Sequence, residues 1–202
     1  MIHFAKNFDH LIGELEGLSE KQLNHHFELY KGYVKKLNEI EEKLPNASKK
    51  EANYSYAEIS ELHRRHAVAF NGTYLHQLYF ENLTGKITKP SSELDEALVD
   101  AFGSLDLWHE DALAGLKTTS GWVLLCQSHI DGSLRNNIVE EHHRGVFIAQ
   151  DILLAIDGWE HAYMIDYGIK KSDYFSAIKN SLNWDIASQR FEISEQKNSV
   201  AA

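Results

Sequence analysis

Apolar residues recur at helical spacing in the first half of the chain and form short continuous runs after Gly121. The helical spacing predicts two long helices, from Ser19 to about Leu44 and from about Tyr56 to Leu83. Ser19 and Gln22 have the form of a capping box at the start of the first helix. The predicted buried face of that helix carries Leu23, Phe27, Tyr30, Val34 and Leu37.

The runs at residues 122–126 and 152–156 predict two strands, the latter of them central, and a strand at 134–139 is expected to return beside the first. The pair Asp131-Gly132 predicts a type I′ hairpin turn between the first two strands. Shorter helices are expected at 93–102, 107–116, 174–182 and 185–191. The prediction is an α+β fold, with an N-terminal long helical hairpin (1–90) and a C-terminal α/β domain (91–202) containing a small three-stranded antiparallel sheet.

The composition restricts the possible partners and compartment of the protein. The chain has 202 residues and a net charge of −10, so we expect no nucleic acid partner, because phosphate binding needs clustered Lys and Arg. No apolar run approaches the roughly 20 residues that span a bilayer, and the N-terminus does not resemble a secretory signal. With Cys126 as the single cysteine, these features favour a cytoplasmic location without membrane contact.

An acidic residue and a histidine follow the third predicted strand directly. Asp157 ends the strand and His161 comes four residues later, entering a predicted helix, so both can face one cleft. A carboxylate with imidazoles suits iron, manganese or zinc. By itself this pair is also compatible with a hydrogen-bonded buried pair that holds no metal.

The longer strings around these residues carry a specific resemblance. Residues 159–163, Trp-Glu-His-Ala-Tyr, resemble the signature of the iron/manganese superoxide dismutase family. Residues 25–34 resemble its first-helix motif, a ligand histidine with a tyrosine eight residues later, and residues 70–83 resemble its second-helix motif. Further family landmarks follow in the same order at 102–104, 120–122 and 183–185.

The resemblance implies one iron or manganese ion per subunit, held between the two domains by His25, His76, Asp157 and His161. It also implies a solvent molecule as fifth ligand and the disproportionation of superoxide to oxygen and hydrogen peroxide. His26 lies about 100° around the helix from His25, so we expect only one of the two to bind the metal, and His25 fits the family spacing.

Other residues are matched to family roles by position. Tyr33 corresponds to the tyrosine at the substrate funnel, and His142 to the residue that hydrogen-bonds the solvent ligand. His143 is the alternative if the match between this chain and the family positions is shifted by one residue. Trp122 and Trp159 correspond to the aromatic wall around the metal.

Glu160 resembles the glutamate that reaches the partner subunit's metal-bound histidine, which implies a homodimer or homotetramer. An exposed helical glutamate is the alternative. Where many relatives have a histidine and a tyrosine that hydrogen-bond across the dimer, this chain has Leu29 and Met164. These changes predict an apolar contact there and an altered substrate gate.

The sequence does not decide between iron and manganese, and it is compatible with two functions other than superoxide disproportionation. Ala155, two residues before Asp157, is neither the glycine of many manganese members nor the threonine of many iron members. The histidine variant at His142 slightly favours iron, with activity in both metals as an alternative. A metal-binding protein without rapid turnover and a non-catalytic protein on this fold are the other functions, and the four intact ligand positions argue against the second.

Overall fold

The computed structural model of the protein describes residues 2–201, and the side chains of residues 2–197. Two long antiparallel helices, α1 (Glu20–Lys43) and α2 (Glu58–Glu81), form the N-terminal hairpin. The Ser19 side chain accepts a hydrogen bond from the Gln22 backbone N–H at 3.1 Å, which satisfies a free N–H in the first turn of α1. The predicted long helices are confirmed.

The rest of the chain is an α/β unit. Helices α3 (Ser92–Phe102) and α4 (Leu105–Thr118) precede a three-stranded antiparallel sheet. The strands are β1 (Trp122–Ser128), β2 (Leu134–Val139) and β3 (Gln150–Asp157), and they are followed by α5 (Glu160–Tyr167), α6 (Lys171–Ile178) and α7 (Trp184–Ala201). The predicted α+β fold, with a helical hairpin and a small antiparallel sheet, is confirmed.

The order of the strands differs from the prediction. Strand β1 is central, with β2 and β3 on either side of it, and all seven of its residues are buried. A continuous apolar run reports burial on both faces of a strand rather than its place in the sheet. Because β3 is covered on both faces by packed elements, its sequence looks like that of a central strand.

The connection between β1 and β2 also differs from the predicted two-residue type I′ turn. Five residues, 129–133, separate the strands, and Gly132 has φ +70°. A type I′ turn needs positive φ at both central residues, whereas Glu141 and Ala149 are the only non-glycine residues with positive φ in the described chain. Asp131 accepts a hydrogen bond from the Ser133 backbone N–H at 3.1 Å, and the Gly132 backbone N–H donates to the carbonyl oxygen of Ser128 at 3.0 Å, so side-chain and main-chain bonds close the loop together.

One hydrophobic core joins the base of the hairpin to the α/β unit. It contains Tyr30 and Phe80 from the helices together with Trp122 and Leu154 from the sheet. A separate small cluster of Leu37, Ile40 and Ala69 lies further along the hairpin. The ends of the two long helices nearest the sheet are therefore the most firmly packed. Within residues 2–201, no helix is both long and apolar enough to cross a membrane.

Candidate metal centre

Four polar side chains from four elements meet where the hairpin joins the sheet. They are His26 of α1, His76 of α2, Asp157 at the end of β3 and His161 of α5. One nitrogen or oxygen of each lies within 4.8 Å of those of the other three, and in the described part of the chain no other such group exists. The first three are fully buried, and the His161 side chain is 25% exposed.

The local structure explains why these side chains converge. His26 lies three residues after Leu23 and four before Tyr30, both on the buried face of α1. Asp157 pairs with Trp122 of the central strand, and its Oδ1 accepts the backbone N–H of Trp159 at 2.8 Å. The second carboxylate oxygen, Oδ2, is thereby left to face the cluster.

The distances within the cluster are those of hydrogen-bonding contacts. Oδ2 of Asp157 lies 3.1 Å from Nε2 of His26 and 3.3 Å from Nε2 of His161. Nε2 of His76 lies 3.2 Å from Nε2 of His161. The Nδ1 of His76 is 2.5 Å from the carbonyl oxygen of Gly72. Because a carbonyl only accepts, this Nδ1 carries the proton, and in neutral His76 the Nε2 presents a lone pair to the cluster.

This donor set fits a metal ion. Three imidazole nitrogens and one carboxylate oxygen are ligands that iron, manganese and zinc accept. The lone pair of His76 faces another imidazole nitrogen, an arrangement that needs a shared proton or a cation. The hydrogen bond from His76 to Gly72 is the kind of outer contact that fixes the ring orientation of a metal-bound histidine.

The electrostatics favour the protonation states that metal binding requires. Burial lowers the pKa of His26 and lowers that of His76 well below the ordinary value, so both rings are neutral at pH 7. Burial opposes ionisation of Asp157, but the adjacent His161 and His26 outweigh it and lower the pKa of the carboxyl far below its usual range. The cluster therefore presents a carboxylate together with the neutral imidazoles of His26 and His76.

Comparison with known proteins identifies the family. The family model for the C-terminal domain of iron/manganese superoxide dismutases matches residues 90–190. The chain is 36% identical to the iron superoxide dismutase of Aquifex pyrophilus over 197 residues, which cover 95% of this chain and 92% of the relative. This protein belongs to the iron/manganese superoxide dismutase family.

Relatives named for each metal are found. The chain is 35% identical to the iron superoxide dismutase of Cupriavidus metallidurans over 182 residues, covering 88% of this chain and 90% of the relative. It is 32% identical to manganese superoxide dismutase 2 of Haloferax volcanii over 179 residues, covering 87% of each chain. The family resemblance seen in the sequence motifs is confirmed.

The structure places one residue of the predicted ligand set, His25, outside the cluster. His25 is exposed on α1, and its neighbour His26 takes the place predicted for it in the cluster. The two side chains project about 100° apart on the helix, so only one can face α2. The structure brings His76, Asp157 and His161 together with His26.

A hydrogen-bonded chain of three side chains borders the cluster. The hydroxyl of Tyr33 lies 2.6 Å from Nε2 of His142, and the indole N–H of Trp122 donates to Nδ1 of His142 at 3.0 Å. Because an indole N–H only donates, neutral His142 carries its proton on Nε2 and donates it to Tyr33. His143 lies instead near the Glu141 carboxylate.

The aromatic rings close this side of the centre. The ring of Tyr33 stacks on His76 with centroids 5.1 Å apart, and the ring of Trp159 stacks on His161 at 5.9 Å. Trp122 meets His76 edge-on at 5.1 Å. Among the described residues the buried indole Nε1 of Trp159 has no hydrogen-bond partner, so this ring contributes to the centre through its stacking on His161.

Glu160 lies toward the surface, as do Leu29 and Met164, the two residues that differ from the usual family pattern. Glu160 is exposed at the start of α5, beside His161. Met164, one turn later, is 43% exposed, as is Ile165 at 44%. Leu29 is half-buried on α1.

Two supporting residues were missed by the sequence analysis. The side chain of Gln22 donates to the carbonyl oxygen of His161 at 2.5 Å and accepts the Ile165 N–H at 3.1 Å, so it ties α1 to α5. Tyr174 donates its hydroxyl to the carbonyl oxygen of Asp157 at 2.9 Å. Neither contact has a local pattern, because each partner is more than ten residues away in the chain.

Proposed function

We propose that this family member disproportionates superoxide to oxygen and hydrogen peroxide with one iron or manganese ion held by His26, His76, Asp157 and His161. The observation that supports the proposal most is the convergence of three imidazole nitrogens and one carboxylate oxygen within 4.8 Å in a buried site. The alignments with relatives named as superoxide dismutases cover most of the chain. Iron and manganese supply the one-electron redox chemistry that takes an electron from one superoxide and gives it to a second.

Tyr33 and His142 are proposed to deliver a proton. His142 donates to the Tyr33 hydroxyl, which leaves the hydroxyl proton of Tyr33 free to point toward the substrate. Burial raises the pKa of Tyr33, so the phenol stays protonated at neutral pH and can act as a donor. Trp122 holds His142 in the tautomer that this arrangement needs.

A second copy of the chain is proposed to complete the centre. Within residues 2–197 the hydrogen-bonding contacts of the His161 ring all involve Nε2, and the side chain is partly exposed. A metal-bound imidazole is normally oriented by a hydrogen bond from its other nitrogen. We propose that Glu160 of the partner subunit accepts this bond and that Leu29 and Met164 contribute apolar contacts to a homodimer or homotetramer.

The choice of metal, the compartment and the domain division stay predictions. Three nitrogens and one oxygen suit both metals, and relatives are named for iron and for manganese. We take iron as the slightly favoured metal, a cytoplasmic location as the expected compartment, and residue 90 as the division between the two domains.

The test is superoxide disproportionation by protein loaded separately with iron and with manganese, normalised to bound metal. High turnover with either metal is expected, and similar turnover with both would identify a dual-metal enzyme. Tight binding of both metals with negligible turnover would contradict the proposal and favour a metal-binding protein. The metal-free protein serves as the control and should be inactive.

A further inference from the structure

The outer edge of β3 is covered by side chains instead of another strand. The backbone N–H of Ala155 donates to Oδ1 of Asn82 at 2.9 Å, and the carbonyl oxygen of Leu153 accepts from Nη1 of Arg190 at 2.9 Å. Asn82 is fully buried. Asn82 and Arg190 therefore take the place of a neighbouring strand at two positions close to Asp157.

These two side chains also bind each other and the end of α2. Nη1 of Arg190 donates to Oδ1 of Asn82 at 3.2 Å, and Nη2 donates to Oε2 of Glu81 at 2.7 Å. The second carboxylate oxygen of Glu81 accepts from Lys6 at 2.7 Å. The Arg190 side chain is only 17% exposed, so this pair is screened less by solvent than an ordinary surface ion pair.

The main chain of Asn82 extends the same junction. Its carbonyl oxygen accepts the backbone N–H of Asn183 at 2.7 Å, directly before α7 begins. One residue thus joins the end of α2, the edge of β3 and the start of α7. Asn82 is six residues after His76, and Ala155 is two residues before Asp157.

We propose that Asn82 and Arg190 are positioning residues that set the separation between His76 and Asp157. Nε2 of His76 lies 3.7 Å from Oδ2 of Asp157, and the two residues stand on different elements, α2 and β3. The Asn82–Ala155 hydrogen bond joins the residue that ends α2 directly to β3, so its loss lets α2 and β3 shift relative to each other. This inference rests on the proposed metal centre and adds what fixes its geometry.

The competing explanation is that the two side chains only satisfy buried backbone groups at a strand edge. An unpaired buried N–H or carbonyl lowers the free energy of unfolding, so either role predicts lower stability on mutation. Metal affinity, and the spectrum of the bound metal, distinguish the two, because loss of stability alone leaves the ligand geometry of the folded protein unchanged.

The experiment compares four full-length proteins, the unmodified chain, Asn82→Leu, Asn82→Asp and Thr88→Val. Thr88 is the matched control, because its hydroxyl donates to the carbonyl oxygen of Leu182 and accepts the Trp184 N–H. It therefore supports the start of α7 without touching β3. Each protein is titrated with Mn²⁺ and with Fe²⁺ under anaerobic conditions against a competing chelator, well below its unfolding temperature, and electron paramagnetic resonance spectra of the Mn²⁺ forms are recorded.

We expect the metal affinity of Asn82→Leu to be lower by a factor of about ten or more, and its electron paramagnetic resonance spectrum to be altered. Asn82→Asp keeps an acceptor for Ala155 beside Arg190 and should recover most of the affinity, and Thr88→Val should bind within about twofold of the unmodified chain. Equal affinity and an unchanged spectrum in Asn82→Leu would overturn the inference. If Asn82→Leu does not fold, Arg190→Met takes its place, and normal affinity in that variant would overturn the inference equally.

The same titration separates this inference from the proposed function. If the unmodified chain binds no metal, the proposed centre fails and the inference fails with it. If the unmodified chain and Thr88→Val bind metal normally and Asn82→Leu binds equally well, only the positioning role is lost.

Discussion

At the scale of single residues, Tyr33 has the contacts expected of a proton donor. Its hydroxyl is held by His142 at 2.6 Å, and its ring stacks on His76. The hydroxyl is therefore close to the proposed metal ligands without being one of them. Loss of this hydroxyl should affect proton delivery and leave the metal in place.

Tyr33→Phe is expected to keep full metal content and to reduce turnover about tenfold or more, because it removes a positioned proton donor. The measurement is turnover against pH with metal content determined on the same samples. Tyr30→Phe is the matched control on the same helix, since its hydroxyl accepts the Lys6 N–H and does not contact His142. Unchanged kinetics in Tyr33→Phe, or an equal loss in Tyr30→Phe, would contradict the role given to Tyr33.

The residues of the centre differ in how well the sequence predicts them. His76, Asp157 and His161 are matched by motif and lie together in the structure. His26 was missed because the family spacing of eight residues to Tyr33 points to His25. Helix geometry distinguishes the two histidines. His26 is seven residues before Tyr33, so these two side chains lie about 20° apart around the helix axis, whereas the side chains of His25 and Tyr33 lie about 80° apart.

At the scale of elements, the contact between α1 and α2 depends on a glycine. A Cβ on Gly72 would lie 2.5 Å from Cδ1 and 2.7 Å from Cε1 of the Tyr33 ring. These distances are shorter than a van der Waals contact, so the ring occupies the space that any other residue at position 72 would need. The close approach allows Tyr33 to reach His142 while stacking on His76.

Gly72→Ala is expected to lower the free energy of unfolding by about 1–3 kcal/mol, because the added methyl displaces the Tyr33 ring. Gly32→Ala on α1 is the control, since in the described chain nothing except the flanking residues and the helix's own backbone lies within 4 Å of its Cβ position, and it should stabilise the helix by up to about 1 kcal/mol. Chemical denaturation of both variants measures the difference. Equal stabilisation by the two substitutions would show that the α1–α2 contact is looser than described.

The elements themselves were predicted more reliably than their arrangement. The two long helices follow from a repeated apolar spacing, β1 and β3 follow from short apolar runs, and β2 was expected from the turn signal before it. The placement of β1 at the centre of the sheet depends on pairing with residues more than ten positions away, and a local pattern does not contain that information. The contacts that cover the edge of β3 are side-chain contacts between distant segments and were missed for the same reason.

At the scale of the whole molecule, the buried histidines make the stability of the metal-free protein dependent on pH. Burial lowers the pKa of His26 and His76 and lowers that of His142 to about 4. Their pKa values in the unfolded chain are about 6.5. Between these values the unfolded state binds more protons than the folded state, so stability falls as the pH falls.

The metal-free protein is therefore expected to lose stability steadily from pH 6.5 to pH 4, with His142 alone contributing about 3 kcal/mol of the loss. The measurement is urea denaturation of the metal-free protein at a series of pH values. His142→Gln should flatten part of this slope. Stability that stays constant across this range would contradict the description of these rings as buried and neutral.

The central claim is that one metal ion lies where α1, α2, β3 and α5 meet. Anomalous diffraction from crystals of the manganese-loaded or iron-loaded protein tests it most directly. The expected result is a single peak at coordination distance from Nε2 of His26, His76 and His161 and from Oδ2 of Asp157, with His25 exposed. A peak coordinated by His25, or a metal bound away from these four residues, would contradict it.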